Sequence, residues 1–358
     1  MPSAFTDRPT GSESRSAPGA PRYLAAPDSF KGTFDATTVA GAIVRGLTAG
    51  GVEADPCPVA DGGEGTMDVL LAALGGQRVP AKVRDPLGRR IDASFALLEG
   101  GRTAVVEVAQ ASGLALVAPA ERDPERASSA GTGELIAAAI DAGARRVLVA
   151  AGGSATTDGA AGAIEALEAR GGPRGAALEV ICDVETPFER AAEVFGPQKG
   201  AGPEAVRRLA ERLRLQALAL LRDPTGVPMT GSAGGLSGGL WAAFDARLRR
   251  GAMFVLDAVG FDARLRDATA VISGEGRLDQ QSFCGKVASA IAERCRAAGV
   301  DLHLIVGRND LAPERLGGLG VASVQEAETL EAIASAATRI AAGEGAQSPA
   351  IRSARRKP

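Results

Sequence analysis

Short β-type runs alternate with longer helical patterns along most of this 358-residue chain. That alternation restricts the fold more than any other feature. Tyr23–Ala26, Val52–Ala60, Arg146–Ala151, Glu179–Asp183, Thr269–Ile272, Leu302–Val306 and Val321–Val324 read as strands. Between them, Thr37–Ala49 places Val39, Ile43 and Leu47 on one helical face, and Thr66–Leu74 and Lys286–Ala298 also read as helices. Thr132–Ala142 is apolar nearly all round and predicts a buried helix. Pro203–Leu221 is amphipathic with proline near its start, and a last helix falls within Glu326–Ala342. Phe95–Leu98 and Thr103–Val108 read as a hairpin across Glu99–Arg102. Strands separated by helices predict an α/β fold with largely parallel sheets covered on both faces.

Composition limits the chemistry. With 45% hydrophobic and 23% charged residues the chain is globular, and a net charge of −3 with 3% aromatics offers no field or stacking platform for nucleic acid. Apolar runs such as Leu135–Ile140 are too short for a membrane span. Four cysteines without a C-x-x-C pair fit a reducing, cytoplasmic setting. Residues 1–20 and the basic stretch 344–358 read as disordered tails. The single histidine, His303, sits inside an apolar run and reads as a core or strand-end residue. A Ser-His-Asp triad or multi-histidine metal centre therefore has almost no material, and catalysis must rest on carboxylates, Lys, Arg, hydroxyls and backbone amides.

Ligands of such sheets bind beyond the carboxyl ends of the strands, and several Gly-rich polar segments fall there. Two contain a Gly-Glu-Gly turn beside an aspartate: Asp61-Gly62-Gly63-Glu64-Gly65, and Gly274-Glu275-Gly276-Arg277-Leu278-Asp279 followed by Ser282. Glycine permits close backbone approach, while the acids can hold Mg²⁺ or orient a hydroxyl. Asp28-Ser29-Phe30-Lys31 follows the first strand, where Lys31 can meet phosphate or carboxylate as a point charge. Gly152-Gly153-Ser154-Ala155-Thr156 follows another and reads as a phosphate cradle opening a helix, or as a plain turn capped by Asp158. It matches neither the P-loop nor the dinucleotide fingerprint. Asp183 ends a strand and reads as a metal-binding or turn-forming acid.

Taken together, these segments resemble the type I glycerate kinase family. The resemblance runs in order through Ala26–Gly32, Pro58–Thr66, Asp85–Arg89, Ala111–Leu114, Gly131–Ile136, Gly152–Thr156, Cys182–Val184, Val194–Ala201, Ala233–Leu236 and Gly274–Ser282. It implies transfer of the ATP γ-phosphoryl group to D-glycerate, usually giving 2-phosphoglycerate, with Mg²⁺. It also implies two α/β domains flanking an active-site cleft. One is a discontinuous Rossmann-like domain from residues 21–60 and 266–343; the second α/β domain spans 61–265. The chain departs from the family pattern in a short stretch between Glu168 and Glu179, in Thr186–Arg190, and at Val287.

On this reading Asp279, or alternatively Asp61, orients or deprotonates the acceptor hydroxyl. Lys31 and Arg277 neutralise phosphate and carboxylate, and Glu64, Asp183 and Glu275 hold Mg²⁺. Asp28, Ser29, Gly62, Gly63, Gly152, Gly153, Ser154, Thr156, Gly274, Gly276 and Ser282 complete the binding surface. A homo-oligomer is left open. The competing readings are a non-catalytic metabolite-binding paralogue of the same fold and a nucleotide-dependent dehydrogenase, the latter disfavoured by the missing fingerprint.

Overall fold

The computed structural model describes residues 22–283, 286–312, 316 and 320–343. The stretches read above as tails, together with Cys284 and Gly285, lie outside the described residues. In chain order the strands are β1 (Arg22–Ala25), β2 (Glu53–Pro56), β3 (Gln77–Arg84), β4 (Arg90–Leu98), β5 (Thr103–Glu107), β6 (Arg146–Ala150) and β7 (Ala177–Cys182). They continue with β8 (Arg247–Arg250), β9 (Ala270–Ser273), β10 (Arg277–Leu278), β11 (Asp301–Val306), β12 (Arg308–Asn309) and β13 (Val321–Glu326).

Two main sheets result. The first runs β13-β11-β9-β1-β2 with every pair parallel, and so joins residues 22–56 to residues 270–326. Counted within the sheet its order is 2-1-3-4-5, the flavodoxin-like doubly wound order rather than the 3-2-1-4-5-6 of a Rossmann sheet. The chain reverses its winding between β1 and β9, and the loops leaving those two strands flank the crevice where such sheets bind ligands. Helices Ala36–Ala49 and Leu330–Ala341 cover one face, interleaving Val39, Ile43 and Leu47 with Ile333 and Ile340 over Ile272 and Ile305. Helix Val287–Ala298 covers the other, with Ile291 against Val271 and Leu304.

The second sheet follows chain order, β3-β4-β5-β6-β7-β8. It is parallel from β5 to β8, but β3, β4 and β5 form an antiparallel meander. The hairpin read at Phe95–Val108 is its inner turn. The first arm, β3, escapes sequence reading because it is an edge strand whose residues are largely solvent-facing and include Pro80, a residue tolerated at edges. The strand expected at Val52–Ala60 is regular only over β2, but the Cys57 and Val59 amides still donate to the Ala25 and Pro27 carbonyls, so the segment runs on beside β1 past Pro56.

Helices Thr66–Leu74 and Gly251–Ala258 fill the seam between the sheets. Val69, Ala252 and Val255 join the core of the first sheet, while Met67 and Leu70 pack on Val105 and Leu148 of the second. Each such fully buried side chain contributes roughly 1.5–3 kcal/mol. Above this layer the carboxyl-end loops touch backbone to backbone. A Cβ added to Gly152 would lie 2.6 Å from Cα of Gly63, and one added to Gly62 would lie 2.7 Å from Cα of Gly251.

Gly152→Ala is therefore expected to lower the unfolding free energy by about 1–3 kcal/mol, the usual cost of overpacking. Gly41→Ala, in a helix where the added methyl meets only the end of Arg45 at 3.8 Å, should raise it by about 0.5–1 kcal/mol. Urea denaturation of the two variants beside the parent checks both signs.

Candidate active site

Three loops converge at the carboxyl end of the first sheet because backbone hydrogen bonds carry the ladder beyond its strands. The Asp28 amide donates to the Gly274 carbonyl (2.9 Å), tying the loop after β1 to the loop after β9. The Val59 amide donates to the Pro27 carbonyl (3.0 Å), bringing in the segment after β2. The Phe30 amide donates to the Phe34 carbonyl (2.8 Å) and closes the turn that carries Lys31. Two of these loops are the Gly-Glu-Gly turns, so residues more than two hundred positions apart become neighbours.

Two cavities open there. The first, about 560 Å³, is lined by Asp28, Ser29, Phe30, Lys31, Asp61, Glu275, Gly276, Arg277, Asp279, Lys286 and Arg308, among others. The second, about 410 Å³, opens toward the second sheet and is lined by Gly63, Glu64, Gly152, Gly153, Ser154, Asp183, Lys199 and Ser232. Lys31, Asp61 and Lys286 line both.

At that shared wall Lys31 Nζ donates to Asp61 Oδ2 at 2.7 Å, and the Gly63 amide donates to Asp61 Oδ1 at 3.0 Å. Burial alone would raise the Asp61 carboxyl, but Lys31, the Gly63 amide and Lys286 outweigh it and hold Asp61 below its ordinary range. Lys31 is pushed up: burial opposes its charge, and the attraction of Asp61, Asp28 and Glu275 prevails. Both members of the pair are thus ionised at neutral pH.

The neighbouring acids behave differently. Burial, reinforced by Asp61, pushes Asp28 up to about 8. Burial pushes Glu275 up to about 7 against the pull of Ser282, Lys286 and Lys31, and its Oε1 is buried without a hydrogen-bond partner. Asp183 is raised by burial to about 7, although both its oxygens accept from the Ala252 amide (3.0 and 3.2 Å) at the start of helix Gly251–Ala258. That is a helix-terminus contact of the kind favoured by orphan N–H groups. Among the described residues no group of three or more carboxylate, imidazole or thiol side chains could by itself hold a metal ion. Glu64, Asp183 and Glu275 divide between the cavities rather than meeting: Glu275 lines the first, the other two the second.

Other expected residues fall into distinct positions. Arg277 lines the first cavity, and its Nε donates to Asp310 at 2.6 Å, which also accepts from Arg308 at 2.7 Å. Asp279 lines the first cavity only, with Ser282 Oγ accepting from its amide at 3.1 Å. Gly62, Gly274, Thr156 and Ser282 line neither cavity. The two glycines serve packing instead, since a side chain at Gly62 would strike Gly251 and one at Gly274 would strike the Ile305 backbone. Thr156 is fully buried. The Gly152–Thr156 turn does not itself open a helix; the next begins at Ala161 after left-handed Ala160. Asp158 caps as the alternative reading has it, its Oδ2 accepting from the Gly162 amide and from Ser129. His303 faces Ser323, Nδ1 to Oγ at 2.8 Å, as a strand residue.

Sequence reasoning assigns no site role to Lys286, Lys199 or Ser232, although the last two lie in Gly-rich turns, Gly196–Gly200 and Ser232–Leu236, that read equally as hinge or ligand loop. Lys286 sits at the N-cap of helix Val287–Ala298, where a cation opposes the helix dipole, and that misplacement was the available signal. Lys199 is only 2% exposed, its Nζ donating to Ser154 Oγ (2.9 Å) and to the Thr156 carbonyl (2.5 Å). Burial pushes its ammonium down to about 7, with Asp158 pulling the other way. Cys182 lines the second cavity, but burial pushes its thiol up to about 12, which leaves it protonated and unsuited to nucleophilic chemistry.

A doubly wound sheet that gathers ionised lysine, aspartate and unneutralised acids at its switch point belongs with the α/β small-molecule kinases. Comparison with known proteins narrows the class. The model of the glycerate kinase family matches residues 23–172 and 170–344. A glycerate kinase of Bacillus subtilis (strain 168) is 39% identical over 326 residues, covering 80% of this chain and 85% of that protein. A glycerate 2-kinase of Escherichia coli (strain K12) is 38% identical over 308 residues, covering 76% and 81%. The crystal structure of a Salmonella typhimurium LT2 protein assigned as glycerate kinase 2 superposes with a TM-score of 0.77 at 35% identity, over 91% of this chain and 98% of that one. The chain belongs to the glycerate kinase family. The family match divides at residues 170–172, inside the stretch that sequence analysis read as short. No helix among the described residues is long and apolar enough to cross a membrane.

One buried acid supports the site from beneath. Glu107, at the end of β5, accepts from the Met67 amide at 2.8 Å and so caps helix Thr66–Leu74, which starts after left-handed Gly65. Burial raises its carboxyl from 4.5 to about 7, with Asp68 and Glu64 adding to it. The stability it lends is complete below about pH 4.5 and is lost as pH rises through about 7, because the folded state retains the proton longer. Glu107→Gln, which keeps an acceptor but cannot ionise, should make the fall in stability between pH 5 and 8 shallower than in the parent, the remainder coming from Asp28, Glu275 and Asp183, as read by urea unfolding. Glu107→Ala should lower stability at every pH by about 1–3 kcal/mol, since it orphans a buried amide.

Proposed function

We propose that the protein transfers the γ-phosphoryl group of ATP to a hydroxyl of D-glycerate, giving 2-phosphoglycerate, in a cleft between two α/β units. The observation that carries the reading is the Lys31–Asp61 pair on the wall common to both cavities. A kinase must bring donor and acceptor to one point, and its catalysis is largely positioning and charge stabilisation.

Asp61 is better placed than Asp279 to orient the acceptor hydroxyl and receive its proton, because it borders both cavities while Asp279 borders one. Lys31 and Lys286 neutralise charge on the transferring group. Arg308, and Arg277 through Asp310, extend the positive side of the first cavity. Carboxylate oxygens fit Mg²⁺, which takes one or two acids together with substrate phosphates. The orphaned Oε1 of Glu275, with Asp28 beside it in the same cavity, would hold it; Glu64 and Asp183 are less suited from the second cavity. When bound, the ion supplies charge neutralisation and orientation of the phosphates. No thiolate or histidine enters the reaction.

A coupled ADP-release assay should register turnover with D-glycerate, and phosphorus NMR should identify the 2-phosphate. Binding without ADP release would instead return the metabolite-sensor reading. Asp61→Asn should lower kcat by about 10²–10⁴-fold, the usual range for a general base, with the fold intact by circular dichroism. A strong loss in Asp279→Asn with little change in Asp61→Asn would reverse the assignment of the two acids.

A further inference from the structure

We propose that Lys199 and Ser154 form the subsite that takes the carboxylate of the acceptor hydroxy acid; this rests on the glycerate kinase reading above. Lys199 is carried on the turn Pro197–Lys199 and lines the second cavity while almost wholly buried. A buried ammonium is costly unless it is paired. Here two of its three donors go to neutral oxygens, Ser154 Oγ and the Thr156 carbonyl. The carboxylate that acts on it, Asp158, directs Oδ2 to the Ser129 amide and hydroxyl and to the Gly162 amide. Asp158 Oδ1 is buried without a hydrogen-bond partner, but no ion pair joins it to Lys199, so the protein offsets this desolvated cation only at a distance. An anion in that cavity completes the match.

The distribution of charge separates carboxylate from polyphosphate. The first cavity sets Arg277 and Arg308, beside the shared Lys31 and Lys286, among the acids Asp28, Asp61, Glu275, Asp279 and Glu328, a mixed set that suits a triphosphate carrying its metal ion. The second has Lys199 as its own cation, joined by one hydroxyl, which suits a singly charged carboxylate. The subsite also shares its cavity with the transfer point. Lys199, Ser154 and Asp61 line the same cavity, and Gly152, two residues before Ser154, packs on Gly63, whose amide donates to Asp61. Lys199 would select acceptors bearing a carboxylate over neutral polyols.

Steady-state kinetics of the full chain with D-glycerate and ATP test this. Lys199→Met should raise KM for glycerate by about 10- to 100-fold, the worth of a hydrogen bond to a charged group, while KM for ATP stays unchanged. Ser154→Ala should raise it less, in the same direction. Should Lys199→Met not fold, as judged by circular dichroism and Tm, Ser154→Asp places an anion in the subsite. It should abolish glycerate binding in calorimetry while ATP binding persists. A raised KM for ATP with KM for glycerate unmoved would make this a phosphate subsite and overturn the proposal, as would folded variants with both constants unmoved. Wild-type protein that releases no ADP with glycerate would instead sink the underlying reading.

Discussion

Everything in the cleft depends on two sheets meeting through glycine backbone. Gly62 lies against Gly251 and Gly63 against Gly152, at separations that leave no room for a side chain. Peptide amides and carbonyls from the two halves can therefore approach within van der Waals reach, and the loop bearing Asp61 and Glu64 is held between the sheets. With larger residues at these positions, Asp61 could not border both cavities. The helices beneath, Thr66–Leu74 and Gly251–Ala258, make that contact durable by sharing one apolar seam with both cores. Their first turns are capped by acids from the second sheet, Glu107 and Asp183.

The electrostatics follow from this closeness. Desolvation moves Asp28, Glu275 and Asp183 up toward neutrality. Asp61 escapes because Lys31 and the Gly63 amide bind its two oxygens. The opposite shifts of Asp61 and of Asp28, Glu275 and Asp183 differentiate roles that the bare sequence left equal. On the opposite wall Lys199 reproduces the same physics with the sign reversed, a cation depressed by burial beside neutral acceptors. Such opposed shifts in one cleft are typical of sites that manage charge during a reaction.

Much of this was legible before any coordinates. The strand-end placement of Asp28–Lys31, Asp61–Gly65, Gly152–Ser154 and Gly274–Asp279 followed from the alternation of elements, since α/β sheets bind ligands at those ends. What was misread had local causes. The edge strand β3 turns Val79, Ala81 and Val83 to the core, but half its residues are exposed and Pro80 interrupts the run, so the alternation is a weak signal. Gly62 and Gly274 read as ligand contacts because glycine reports close approach without saying to what; the neighbour proved to be protein backbone. Lys199 reads only as part of a turn that is hinge or ligand loop, and Lys286 as a helix residue, because lysine is usually solvated; only the enclosing structure reveals one that is buried and one that borders two cavities.

The sequence by itself determined the fold class, the family and the chemical vocabulary of the site. Apolar periodicity is a local property, and a chain with a single histidine has few catalytic alternatives. Tertiary structure alone decided which acid stands at the junction. Lys31 and Asp61 leave different strands, and their 2.7 Å contact exists because β1 and β2 are neighbours in the sheet. It also divided the three candidate Mg²⁺ acids between two cavities, and brought Lys199 to Ser154 across 45 residues of chain. Those outcomes depend on burial and on distances between remote segments, quantities that no stretch of sequence contains.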